Sequence, residues 1–260
     1  MMQLVKDPQN ADSDSNSNSG ESAWNTLLPQ WQCCIEEAWT SYCKGSLPIG
    51  AVITDEKGEL IARGRNRIYE DDIYEDDGEH QILRGNRLAH AEMNALLKVN
   101  WKEVDPKKCI LYTTTEPCPL CIGAVRLTRI RMVYYASRDT GAGSAYGKES
   151  LFTANEFMRR AHIQVKEPQH ADMETILTAM LVETMLRRDD NNMSLLYDTV
   201  AAAHPIGASL GQYLFTDGLL DRWKKEGRSA AYTYDQLSLL LPSSDSSTGQ
   251  GSQQINHVPI

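Results

Sequence analysis

Four side chains in this sequence are of the types that hold a metal ion and move a proton. They are His90 and Glu92 in "LAHAEMNALL", and Cys118 and Cys121 in "TTTEPCPLC". The two cysteines are spaced by one helical turn, and Pro117 and Pro119 suit a helix entrance, where an amide has no intrahelical partner to lose. A helix N-terminus favours negative charge, so both sulfurs can be thiolates there. Two thiolates and a neutral imidazole are three ligands whose negative charges balance a Zn2+ ion. Tetrahedral zinc takes four ligands, and a catalytic site leaves the fourth to water. Glu92 then faces that water rather than the metal, so the histidine holds the ion and the glutamate moves protons.

Each motif alone has an ordinary alternative. A histidine at a helix start caps the helix or fills the core, and a glutamate in a first turn serves the helix dipole. A lone C-x-x-C is a redox pair or half of a structural zinc site. A closed structural site would need a fourth protein ligand, for which Cys109, ahead of a buried strand, is the nearest candidate. Glu92 speaks against that non-catalytic reading, because a closed site has no use for it.

Periodicity places the elements that must carry these residues. Trp31, Cys34, Ile35, Ala38, Trp39 and Tyr42 recur at helical spacing, with Gly45 just past the end. "PIGAVITDEKGELIARGRN" reads as strand, turn and strand, with Lys57-Gly58 in the turn. "LAHAEMNALLKV" is helical, with an apolar face of Ala91, Ala95 and Leu96, or of Leu88 and Ala95. "CILYTTT" is a short buried strand, Cys118 to about Thr128 a helix, and "MVYYAS" another strand. Alternation of this kind predicts a three-layer α/β/α domain. "ADMETILTAMLVETMLRR" adds a helix with Ile176, Met180, Leu181 and Met185 on one face. "DDNNMS" reads as a linker, and the residues that follow, to about 241, form a helical extension with no evident chemistry.

Composition bounds the rest. The chain has 260 residues, 41% of them hydrophobic, and a formal charge of −9. That balance argues against a broad nucleic-acid-binding face, although "RLTRIR" and the Arg159-Arg160 and Arg187-Arg188 pairs leave room for a small basic patch. Seven carboxylates crowd "YEDDIYEDDGEH", Tyr69 to His80, and are expected to form a solvated surface loop. The expected organisation is a disordered tail over 1–22, the metal-bearing domain over 23–190, the helical extension over 191–241 and a second disordered tail over 242–260. No signal peptide or membrane span is apparent, and six unevenly placed cysteines are too few for a disulfide scaffold. These features point to a soluble, cytoplasmic protein with free thiols.

Taken together, H-A-E on one helix and P-C-x-x-C on the next, with a strand between, match the zinc-deaminase signature. From about residue 31 to residue 160 the chain resembles the cytidine and deoxycytidylate deaminase superfamily. "TEPCPLCIGAV" is most similar to the branch of tRNA adenosine deaminases and bacterial guanine deaminases. "SRDTGAGS", Ser137 to Ser144, resembles the loop after the fourth strand in tRNA adenosine deaminases. "PIGAVI" followed by "GRNR" looks like the family's first hairpin, in which an asparagine matching Asn66 contacts the base; outside that context Asn66 is a turn residue.

The resemblance implies a Zn2+ cofactor on His90, Cys118 and Cys121, with Glu92 as the catalytic acid and base. Asn66 and backbone groups near Ala91 would hold the substrate ring. The implied reaction replaces an exocyclic amine by a carbonyl and releases ammonia, and the implied assembly is a homodimer with "RLTRIR" as a contact region. Two departures bear on the substrate. The segment between Arg67 and His90 is longer and more acidic than in compact tRNA adenosine deaminases, and no lysine-rich tail follows. Both favour a free nucleobase, nucleoside or similar heterocycle. A tRNA wobble adenosine is the alternative substrate, and a non-catalytic zinc module is the third reading.

Overall fold

The computed structural model describes residues 22–70, 83–147, 150–188 and 193–242. The two expected tails fall almost wholly outside these residues, as do residues 71–80 of the acidic stretch and 189–192 of the expected linker. The expected three-layer α/β/α fold is present, and the alternation of side chains along its strands shows why.

The first helix, α1, runs Pro29–Cys43 and is followed by β1 (Gly50–Thr54) and β2 (Leu60–Arg65). Then come α2 (Ala91–Leu97), β3 (Ile110–Thr113), α3 (Pro119–Thr128) and β4 (Met132–Tyr135). A one-turn helix α4 (Glu156–Arg159) leads to a short strand β5 (Gln164–Lys166) and the long α5 (Ala171–Arg188). The sheet order is β2-β1-β3-β4-β5. β1 is antiparallel to both neighbours, and β3, β4 and β5 run parallel.

Successive side chains of a strand point to opposite faces. Val52, Tyr112 and Tyr134 therefore join one apolar core with α1 and α5. Ala51, Ile53, Leu111 and Val133 join a second core with α2 and α3 on the other face. β1 is buried along its whole length because both faces are covered. His90, Glu92, Cys118 and Cys121 all belong to the layer on the second face, at the starts of α2 and α3.

The C-terminal region is helical, as expected, with α6 (Met193–Ala203), α7 (Pro205–Asp217), α8 (Leu219–Lys225) and α9 (Ala230–Leu239). Met193 and Ser194, read from sequence as linker, are already the first residues of α6. Leu210, Leu214, Leu220, Trp223 and Leu237 share the first core with Trp31, Ile35 and Trp39 of α1. Trp39 Nε1 also donates to Arg228 O at 2.8 Å. Asp235 of α9 accepts from Trp24 N–H and Ser22 Oγ, both at 2.8 Å, so the first described residues are pinned to the last helix.

Three expectations need correction. α5 does not bury a single stripe: Leu177, Ala179 and Val182 are buried along with Ile176, Met180 and Met185, whereas Leu181 is only partly covered. Helices pack on it from more than one side, so no amphipathic face survives. Leu88 is exposed, and it is Ala91, Ala95 and Leu96 that α2 buries. The acidic stretch is not uniformly solvated either. Glu70 forms ion pairs with Arg65 and, at 2.7 Å, with Arg67, and its side chain is only 9% exposed.

Candidate active site

α2 starts at Ala91, three residues after the start of the stretch read as helical from sequence, and His90 is its N-cap in extended conformation. Its ring makes no capping bond, which leaves Nδ1 to face the sulfurs. Cys118 occupies the equivalent N-cap of α3, followed by Pro119 in the first turn, and Cys121 lies one turn on. Two helix entrances thus converge, and the donor atoms of His90, Cys118 and Cys121 all lie within 4.8 Å of one another.

The separations fit a single ion. Nδ1 of His90 is 3.6 Å from Sγ of Cys118 and 3.5 Å from Sγ of Cys121, and the sulfurs are 3.7 Å apart. Tetrahedral zinc with ordinary bond lengths to sulfur and nitrogen would place such donors about 3.5 to 3.8 Å apart. Among the described residues no fourth His, Cys, Asp or Glu joins the group. Cys109, the candidate for a closed site, instead directs its sulfur to Asp105 O at 3.4 Å.

Electrostatics prepare the donors. The Cys121 thiol, followed by the His90 ring, hydrogen-bonds the Cys118 sulfur and pulls its thiol down to about 4. The same contact, together with burial, pushes Cys121 the other way. A divalent ion held here would take both sulfurs as thiolates, because coordinated thiols ionise outright. The contact with Cys118 raises His90, whose ring must be neutral to ligate.

Glu92 is in the first turn of α2 and only 3% exposed. Thr113, at the end of β3, donates from Oγ1 to Glu92 Oε1 at 3.1 Å, and Oε2 lies 3.4 Å from Cys121 Sγ. Burial raises the carboxyl above its ordinary range. It is a buried carboxyl held against the three-donor group but outside its set. Thr113 was not singled out from sequence, because a threonine ending a strand carries no signal of its own.

The structure also brings the other expected residues alongside. Arg67 N–H donates to Ala89 O at 2.8 Å, which ties the end of β2, with Asn66, to the residue before His90. Ala91 opens α2, so its amide belongs to the helix's unsatisfied first turn. The loop Ser137–Ser144 folds over the other entrance. Ser144 N–H donates to Pro117 O, and Glu116 accepts from the amides of Ala145 and Tyr146. Asp139 of this loop is partly buried, which raises its carboxyl, and it is close enough to Cys118 and His90 to feel their charge.

Comparison with known proteins decides the family. Residues 28–137 match the cytidine and deoxycytidylate deaminase zinc-binding region. A guanine deaminase of Bacillus subtilis is 33% identical over 136 residues, covering 49% of this chain and 76% of that one. The chain belongs to the cytidine and deoxycytidylate deaminase family. A tRNA-specific adenosine deaminase of Streptococcus pyogenes is 31% identical to this deaminase over 133 residues, covering 51% of the chain and 76% of the relative. A solved structure from a study of tRNA:A34 deaminases aligns over 57% of this chain and 97% of its own, at 24% identity and a TM-score of 0.44. This family member is a zinc-dependent hydrolytic deaminase, and no described helix is long and apolar enough to cross a membrane.

Proposed function

We propose that His90, Cys118 and Cys121 hold the zinc and that Glu92 is the acid and base of the deamination. The observation that carries this is a buried carboxylate in contact with a three-donor group that has no fourth protein ligand among the described residues. Bound zinc supplies a nucleophile from water at neutral pH by lowering its pKa. Glu92 takes the proton that the water releases and passes it to a ring nitrogen of the substrate. It then protonates the departing amine, so that water and the amino-heterocycle become a carbonyl compound and ammonia. Thr113 holds the carboxylate in place while the proton moves. Asn66 and the Ala91 amide grip the ring.

The substrate proposed is a free nucleobase, nucleoside or related heterocycle. Glu70 is clamped by the arginines on either side of Asn66, and Leu83 is bound through its N–H and C=O to Asn94 of α2. The two described ends of the acidic segment, Glu70 and Leu83, therefore lie beside the proposed ring contact, and the negative charge that the sequence carries between them disfavours a phosphate backbone. Ammonia release from adenine, guanine, cytosine, their nucleosides and tRNA tests this. Turnover of a base or nucleoside supports it. Turnover of tRNA alone overturns it in favour of wobble adenosine editing, the activity named for the streptococcal relative.

Metal content gives a separate prediction. Purified protein should carry one zinc per chain, and Cys121→Ala should fall to background by elemental analysis. Full occupancy in that variant would remove Cys121 from the ligand set.

Self-association is also proposed. Leu127 and Phe157 are 72% and 52% exposed, and Arg126 stacks on the Phe157 ring at 4.2 Å. Exposed apolar side chains and an arginine stacked on one of them suit the core of an interface. Light scattering at micromolar concentration should give twice the chain mass, and Leu127→Arg should halve it. A monomeric parent protein would refute the assignment.

A further inference from the structure

Asn66 is buried, with 1% of its surface exposed, and its backbone groups and side-chain oxygen are all hydrogen-bonded by its neighbours. Its N–H donates to Ile49 O at 2.9 Å, and its C=O accepts from Ser41 Oγ at 2.6 Å. Its Oδ1 accepts from Ser46 Oγ at 2.7 Å and from Ile68 N–H at 3.2 Å. The last of these shows which end of the amide is the oxygen. A backbone N–H can only donate, so the atom facing Ile68 has to be the oxygen. Tyr69 N–H donates to Ser46 Oγ at 3.3 Å, which leaves the serine's own proton for Asn66 Oδ1. The polar group left over is Nδ2, for which no acceptor appears among the described residues.

The surroundings are as tightly built. Arg65 and Arg67, on either side of Asn66, are joined through Glu70. Arg188 of α5 lies over the Tyr69 ring at 3.2 Å, which holds the amide that bonds Ser46. None of these contacts touches the metal donors, so the device is separate from the zinc group.

We propose that Ser46 is a positioning residue: it locks the Asn66 carboxamide so that the site presents an N–H donor. The ring edge meeting Asn66 must then carry an acceptor, either a carbonyl oxygen or an unprotonated ring nitrogen. This rests on the assignment of Asn66 as a ring contact and adds the polarity of that contact and the residue that sets it. Without Ser46, the amide keeps its sense through the longer Ile68 bond but loses the shorter of its two anchors and is held more loosely. Binding is then weakened equally in the ground and transition states, which appears in KM rather than kcat.

The test is a double-mutant cycle of Ser46→Ala and Asn66→Ala in the zinc-loaded protein, using whichever base or nucleoside of the panel above turns over, with ¹⁵N relaxation of the Asn66 side-chain amide as a second readout. Ser46→Ala should raise KM roughly 3- to 10-fold, the scale of one hydrogen bond, with kcat and zinc content unchanged. The same change should add nothing in the Asn66→Ala background. The Asn66 amide signal, identified by its loss in Asn66→Ala, should report a lower order parameter in Ser46→Ala. A KM penalty that persists in full without Asn66, or an unaltered order parameter, overturns the proposal. Should Ser46→Ala fail to fold, Ser46→Thr, which retains the hydroxyl, must keep the parent KM and order parameter. If Asn66→Ala alone leaves kcat/KM intact, the ring-contact assignment fails, and relaxation alone decides whether Ser46 holds the amide.

Discussion

Glu92→Gln is expected to fold, hold zinc and bind substrate while turnover falls by about 10²–10⁴-fold, the loss typical of removing a general acid and base. The contacts of Glu92 explain why the rest of the site should survive. The glutamine oxygen can still accept from Thr113, as Oε1 does at 3.1 Å, and its NH2 can donate to the Cys121 sulfur that Oε2 meets at 3.4 Å. Size and hydrogen bonding persist, and only the titratable proton is lost. Burial of the carboxyl makes the exchange easier still, because a neutral amide needs less solvation than a carboxylate at a position 3% exposed. The measurement is kcat beside zinc content and melting temperature. Zinc lost together with activity would make Glu92 a ligand. Undiminished turnover would send the catalytic proton through another group, and the roles proposed here would be wrong.

How much of this was legible beforehand depends on the range of the interactions. The grouping of His90, Cys118 and Cys121 was legible because a metal-binding set needs particular atoms at helix entrances, and residue type and helix entrance are both written locally. The helices and the central strands were readable from apolar period, since Ala51, Val52 and Ile53 or Leu111 and Tyr112 fill cores on both faces. β5 escaped because an edge strand of three residues with Val165 alone turned to the core leaves no pattern. The buried faces of α5 escaped for the opposite reason. Its surroundings are made by α6 and α7 downstream and by α1 far upstream, and burial from several directions erases the stripe. Thr113 on Glu92, Ser46 on Asn66 and Glu70 between two arginines lie beyond sequence reading. Each pairs an ordinary polar residue with a partner set by sheet register or loop closure. Glu70 is the sharpest case: composition assigns it to a solvated run, and the fold gives it two cations.

The other large effect concerns a residue with no chemistry. Gly64 in β2 pairs with Ala51 of β1 and lies directly beneath α2. A Cβ there would stand 2.3 Å from both Ala91 O and Ala95 N, and 2.9 Å from Ala95 Cα. All three are backbone atoms, so no side chain can swing aside, and α2 itself has to lift from the sheet. Overpacking of this kind costs roughly 1–3 kcal/mol. The helix that moves carries Glu92 and follows His90, and a displacement of about 1 Å at a reacting group can cost about 10²-fold in rate. Gly64→Ala should therefore lower both the denaturation midpoint and the turnover of the molecules that remain folded. Gly50→Ala separates the two effects. Its Cβ would meet Cys34 O at 2.0 Å and Ala38 N at 2.7 Å, backbone atoms of α1 on the opposite face of the sheet. Its stability should fall comparably, but the strain is directed at a helix that bears no proposed ligand or catalytic group. Denaturation midpoints, together with kcat per zinc-loaded folded chain, compare the pair. Equal turnover losses in the two variants would show that the close seat of α2 on Gly64 does not set the geometry of the site.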